Sequence, residues 1–222
     1  MNYTFDFSVI FDNFDELLWG CVATIILSLI AMALALLVAV LAVLCLRLWP
    51  RATAVPVGGF VELVRNTPFL IQIFFIYFGL PAIGVRFSPD VAAVIALAIN
   101  GAAYAIEIIR AGVESISKGQ IEAGEALGLS RLQIFRGIIF RPALRAVYPA
   151  LTSQFIFLML TSSIVSSISA RELTHVAAIL EGISFRSFEV YFTVTVLYGI
   201  MAISLSALFS LLFRYRISYP TR

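Results

Sequence analysis

From Leu17 to Leu46 the chain runs without a single charged side chain. That is longer than the about 20 residues a helix needs to cross the hydrocarbon core of a bilayer. Arg47 and Arg51 close the run, and Trp19 and Trp49 sit near its two ends, where an aromatic belt would place them. A chain with such a segment is a membrane protein before anything else about it is known. Composition agrees: 61% of the 222 residues are hydrophobic and 13% are charged, against about 45–50% and about 25% in soluble domains. The net charge of +2 says less than where the basic residues fall. Cys21 and Cys45, on one helix, would stand roughly 36 Å apart, too far to pair within it.

The reading that follows is all-α: a single transmembrane domain over residues 1–222, with about five spans near 17–46, 57–81, 89–112, 147–168 and 190–213. Residues 1–16 carry Asp6, Asp12, Asp15 and Glu16 but no basic residue, so they lack the positive start of a secretory signal. Tyr3, Phe5, Phe7, Phe11 and Phe14 suggest a short segment lying at the membrane interface. In the second span Glu62 and Arg65, three apart, share a helix face and can neutralise each other, and Pro68 should kink the helix. The third span holds Asn100, Tyr104, Glu107 and Arg110 on one stripe. Such residues normally face a bundle interior or a wet cavity; a polar seam between two helices is the plainer alternative. The fourth span ends in Thr161-Ser162-Ser163-Ile164-Val165-Ser166-Ser167, with Gln154 two turns earlier. Each hydroxyl could return to its own backbone, or the cluster could face a solute. A polar connector runs from Arg171 to about Glu189 and contains the only histidine, His175, which reads as a surface residue rather than a ligand.

Between the third and fourth spans lies a polar interval over residues 114–145. Gln120 to Leu127 reads as a helix with small residues on one side, and Gly128 suits the left-handed position that ends it. Ser130 caps a second helix and forms a capping box with Gln133. Pro142 should end or kink that second helix. Glu122-Ala123-Gly124, followed by Gly128 and Ile138, resembles the EAA loop of bacterial ABC-importer permeases. The longer pattern Gly-Gln-x-Glu-Ala-x-x-Ala-Leu-Gly-x-Ser resembles the polar amino-acid uptake branch, as do Arg65-x-Thr67-Pro68-x-x-x-Gln72 and Tyr104-x-x-Glu107-x-x-Arg110.

The resemblance covers the chain from about Gly20 onward, and it departs from the family at three places. Gly124 stands where Ala is usual, Phe140-Arg141-Pro142 replaces Leu-Pro-Gln, and Leu160-Thr161 replaces a Lys-Asp pair. It implies a type I importer permease in a bacterial inner membrane. It also implies a loop (Glu122, Ala123, Gly124, Gly128 and Ser130) that docks a cytoplasmic ATPase, two copies of that ATPase, and an extracytoplasmic solute-binding protein.

The pathway candidates are Gln72, Asn100, Tyr104, Glu107, Thr161, Ser162 and Ser163. Charge sets the orientation. With the N-terminus outside, Arg47, Arg51, Lys118, Arg131, Arg136, Arg141, Arg145, Arg214, Arg216 and Arg222 all fall inside, against Arg86, Arg171 and Arg186 outside. The chain has no phosphate-cradling Gly-x-x-x-x-Gly-Lys-Ser/Thr loop, no Cys/His metal cluster and no nucleophile–histidine–acid set. It is therefore read as non-enzymatic and cofactor-free, with ATP held by the partner ATPase. Five helices make a thin wall, so a second permease subunit, identical or similar, is expected, and no nucleic acid. A self-sufficient channel or ion-coupled carrier is the alternative, and a non-transporting scaffold a third reading.

Overall fold

The computed structural model describes residues 4–216, so Tyr3 and Arg222 lie outside the described part. The described chain is helical: α1 (Ser8–Asp12), α2 (Phe14–Leu48), α3 (Pro50–Arg65), α4 (Phe69–Ile83), α5 (Pro89–Glu114), α6 (Lys118–Ala126), α7 (Arg131–Ile168), α8 (Leu173–Ser184) and α9 (Ser187–Arg216). Among the described residues, α2, α5, α7 and α9 are long and apolar enough to cross a membrane, and a fifth span arises if α3 and α4 count as one.

The bundle is held by small residues. Ala31, Ala35 and Ala39 of α2 and Ala92, Ala93, Ala96, Ala102, Ala103 and Ala105 of α5 are buried. Without a hydrophobic effect between helices in lipid, close backbone approach supplies the contact energy, and small side chains permit it. A Cβ on Gly101 would lie 2.7 Å from Leu158 Cδ1 and 3.1 Å from Ala35 Cβ, so α5 is wedged between α2 and α7. Gly112 repeats the fit against Val147 one region further along α5.

Three expectations are corrected. The kink expected at Pro68 is a full break in the second span: α3 and α4 meet at 107°. Pro68 is extended (φ −63°, ψ 136°) and cannot donate to the turn before it, so the helix breaks and restarts. The second helix of the polar loop neither ends nor breaks at Pro142. It winds as a π-helix over Ile134–Phe140 and runs on as α7 to Ile168. The wider π turn before the proline accommodates a ring that would collide with a carbonyl in tight α winding. The connector after α7 is no uniformly polar stretch either, since it folds into α8, whose Leu173, Ala177 and Leu180 are buried at helical spacing. His175 lies half-buried on it.

The connector is pinned from several sides. The Arg171 amide donates to Asp90 Oδ1 at 2.8 Å and the Leu173 amide to Thr24 Oγ1 at 3.1 Å. Glu172, fully buried, caps α8 by accepting from the His175 amide at 2.8 Å and from the Tyr198 hydroxyl at 2.5 Å. The acidic, aromatic start of the chain is tied down beside it. Arg186 Nη1 donates to Thr4 O at 2.8 Å, the Asp6 amide donates to Glu189 Oε1 at 2.9 Å, and the Phe5 and Phe188 rings lie 5.1 Å apart.

Candidate functional site

The 107° elbow exposes carbonyls that a continuous helix would have used. Gln72 takes them up: its Nε2 donates to Val64 O at 2.7 Å and to Thr67 O at 3.1 Å. Thr67 Oγ1 in turn donates to Leu63 O at 2.8 Å. Asn100 Nδ2, from α5, reaches Gln72 Oε1 at 3.2 Å. Broken helices survive at membrane depth only where side chains or water re-satisfy the backbone in this way. Gln72 and Asn100 are thus brought together, and Gln72 has its amide committed to the elbow.

One to three turns along α5, Tyr104, Glu107 and Arg110 face the end of α3 across a groove of about 460 Å³, with Glu62, Arg65 and Asn66 on the opposite wall. Arg65 does not pair with Glu62, as its spacing suggested. Its Nη1 lies 3.5 Å from Glu107 Oε2, while Arg110 Nη2 lies 3.0 Å from Glu107 Oε1. The Arg65 guanidinium also sits 5.4 Å from the centroid of the Tyr104 ring, in cation–π range. One carboxylate is thereby held between two guanidinia on a half-exposed wall. Arg65 and Arg110 are absent from the pathway candidates read from the sequence; their places in the Arg-x-Thr-Pro and Tyr-x-x-Glu-x-x-Arg patterns were the available signals.

The hydroxyl cluster stands apart from this groove. Ser162 is buried and donates to Met159 O at 2.7 Å; Ser163 donates to Leu160 O at 2.9 Å and Ser166 to Ser163 O at 2.7 Å. These bonds mark the passage of α7 into 3₁₀ winding over Ser162–Ile168. Thr161, half-exposed, is the last α-helical residue before it.

At the polar loop, α6 begins with the Ser117 hydroxyl accepting from the Gln120 amide at 3.4 Å. Gly128 takes φ +73°, a left-handed position with nothing near a would-be Cβ, so conformation and not space calls for glycine there. The capping box forms: the Ser130 amide donates to Gln133 Oε1 at 2.8 Å and the Gln133 amide to Ser130 Oγ at 3.4 Å. Gly124 is buried against α7, where a Cβ would come 2.5 Å from Ile138 Cδ1, so an alanine there would require the Ile138 side chain to shift. Glu122, Ala123 and Ser130 are exposed. Among the described residues no group of three or more His, Cys, Asp and Glu side chains could hold a metal.

Residues 35–216 match the family model described as binding-protein-dependent transport system inner membrane component. The chain is 36% identical to the probable glutamine ABC transporter permease GlnM of Bacillus subtilis, over 90% of this chain and 92% of that one. It is also 36% identical to the glutamine transport system permease GlnP of Escherichia coli K12, over 91% and 93%. A crystal structure of an amino acid ABC transporter with histidines superposes with a TM-score of 0.88 at 32% identity, covering 96% of this chain and 99% of that one. An inward-facing structure of the MetNI methionine ABC transporter shares the fold, with a TM-score of 0.74 at 20% identity, covering 94% and 99%. On this match the chain belongs to the binding-protein-dependent transport system inner membrane components, the permeases of ABC importers.

Proposed function

We propose that this permease carries polar amino acids, or closely related zwitterions, across a bacterial inner membrane, and that the groove between α3 and α5 is part of the pathway. The observation that carries the reading is the Arg65–Glu107–Arg110 cluster over Tyr104. A zwitterion crossing lipid must exchange its hydration shell for protein hydrogen bonds. Here a positive and a negative group stand 3.5 Å apart, so an ammonium can replace Arg65 on Glu107 while the carboxylate takes up the released guanidinium. The exchange keeps the groove neutral at every stage. Tyr104, Asn100 and Gln72 extend the polar wall towards the elbow; Thr161 offers a hydroxyl that can donate and accept, and Ser162 and Ser163 offer hydroxyl acceptors.

The chain does no catalysis itself. Its family works with a separate ATPase, which argues against a self-sufficient channel or carrier. We assign Glu122, Ala123, Gly124, Gly128 and Ser130 to docking that ATPase, in two copies. A second permease subunit and an extracytoplasmic solute-binding protein complete the importer. Counting the elbow as one crossing and applying the charge bias gives an N-terminus outside and a C-terminus inside.

The test is Glu107→Gln in the reconstituted importer. Losing a charged partner worth roughly 1.5–3 kcal/mol should lower amino-acid uptake about tenfold or more, with ATPase subunits still bound. Uptake at the wild-type rate would remove the groove from the pathway.

A further inference from the structure

We propose that a chamber between α2, α3 and α5, adjoining the groove, is a second binding site for the transported zwitterion. The chamber measures about 290 Å³, and Val43 of α2, Val57 of α3 and Ile106 of α5 give it apolar walls. Gly58 and Val61 of α3 and Glu107 and Arg110 of α5 line both the chamber and the groove, so the two share an edge. That the ligand is the transported solute rests on the reading of the groove as pathway.

Its charges decide the ligand. Arg47, one residue from the end of α2, and Glu114, the last residue of α5, both line the chamber. Among the described residues no ion pair joins them to each other or engages either elsewhere. Glu114 lies four residues beyond Arg110 and so on the same face of α5. From the elbow onward Arg65, Glu107, Arg110 and Glu114 therefore alternate in sign, and Arg47 closes the series from α2. The first three are bound to one another; Glu114 and Arg47 are spare. A simple cation entering the chamber would meet two guanidinia, and a simple anion two carboxylates. A zwitterion suits both signs, with its ammonium on Glu114 and its carboxylate on Arg47, whose planar fork offers two N–H donors. Its aliphatic part then lies against the valines. Glu107 and Glu114 are seven residues apart, about 10.5 Å along the axis. A solute leaving the groove thus meets a second site of the same kind two turns on.

The experiment is ligand protection of two single cysteines in the permease–ATPase complex, held in nanodiscs without binding protein and carrying Cys21→Ala and Cys45→Ala. Ala54→Cys, at an exposed position lining the chamber, reports the second site. Asn66→Cys, exposed and lining the groove, reports the first. The probe is L-glutamine. At about three times its half-saturating concentration, occupancy should slow maleimide labelling about fourfold at each cysteine. Glutaramate, which lacks the α-ammonium, and 4-aminobutanamide, which lacks the α-carboxylate, should protect neither. Arg47→Gln with Glu114→Gln should abolish protection at Ala54→Cys and keep it at Asn66→Cys, which also shows that the variant is folded. Arg65→Gln should do the reverse. An unprotected Ala54→Cys beside a protected Asn66→Cys would overturn the second site and leave the groove standing. Protection at Ala54→Cys that survives Arg47→Gln with Glu114→Gln would overturn it as well. Protection at Ala54→Cys alone, lost in that double variant, would uphold the chamber and remove the groove; protection at neither would overturn both.

Discussion

At one end of the bundle the segment from Arg171 to Glu189 is held by side chains from elsewhere: Asp90 of α5, Thr24 of α2 and Tyr198 of α9. At the other end the loop from Ser117 to Gln133 holds itself, through Ser117, Ser130 and Gln133. Its one buried anchor is Gly124 against Ile134 and Ile138 of α7. The first arrangement fixes a frame, because Thr24 is buried and Tyr198 half-buried, so those two bonds cannot be traded for water, while the exposed Asp90 adds a third tie. The second leaves Glu122, Ala123 and Ser130 exposed, a pre-shaped surface open to a partner. A machine that passes motion from a docked ATPase to a pathway needs both: one end that yields as a unit and one that stays put.

The largest expected effect tests the pinned end. Glu172→Ala removes the acceptor for the His175 amide and the Tyr198 hydroxyl at a fully buried position. Stranded buried polar groups cost about 1–3 kcal/mol each, and Thr174, 3.1 Å from the Tyr198 hydroxyl, can rescue only one of them. The loss should be about 1–3 kcal/mol, read as a fall in the thermal midpoint of the purified complex. The matching change at the loop, Glu122→Ala, should stay within about 0.5 kcal/mol. If the two variants melt together, the contrast between the ends is wrong.

A smaller effect should come from Gly128→Val. The residue sits at φ +73° in open space, so a β-branched side chain pays left-handed strain of about 1–2 kcal/mol without any clash. That is a small stability loss in an exposed turn, yet the loop would present a different face to the ATPase. Transport should collapse while ATP hydrolysis continues unstimulated, and Gly128→Asn, which tolerates this region, should retain most transport. Full transport by Gly128→Val would mean that the turn's conformation is irrelevant to coupling.

The two ends also differ in how far they could be read from residues alone. The loop was legible because its chemistry is local: a glycine at the helix end and a serine three residues from a glutamine both act within one turn. The outer bounds of α2 and α9 follow from hydropathy. The connector was not legible. Its short apolar helix is flanked by Arg171, Glu172 and Arg186, and the side-chain partner that makes Glu172 buriable, Tyr198, comes from the distant α9. The elbow was half visible. Pro68 announces a break, but only the fold brings Asn100 to Gln72 and turns Arg65 from Glu62 towards Glu107. Pro142 misled because π winding, set by the packing of Ile134 and Ile138 on Gly124, carries the helix through it.

The smallest expected effect lies between the two ends, where α7 changes from α to 3₁₀ winding. Ser162 and Ser163 each spend their proton on a carbonyl three residues back, so their hydroxyls can still accept but have no proton to offer. Thr161 is half-exposed and has no such bond among those described. It is therefore the residue of the cluster best able to donate to a passing carboxylate. Thr161→Val keeps the shape and removes the hydroxyl. If a solute uses it, one hydrogen bond of roughly 0.5–1.5 kcal/mol is lost, and uptake should weaken several-fold while the complex assembles and hydrolyses ATP as before. Ser162→Ala should change stability slightly and uptake little, because its hydroxyl already serves the helix. Equal, wild-type uptake by both variants would leave this cluster a helix-winding device and confine the pathway to the Arg65–Glu107 groove.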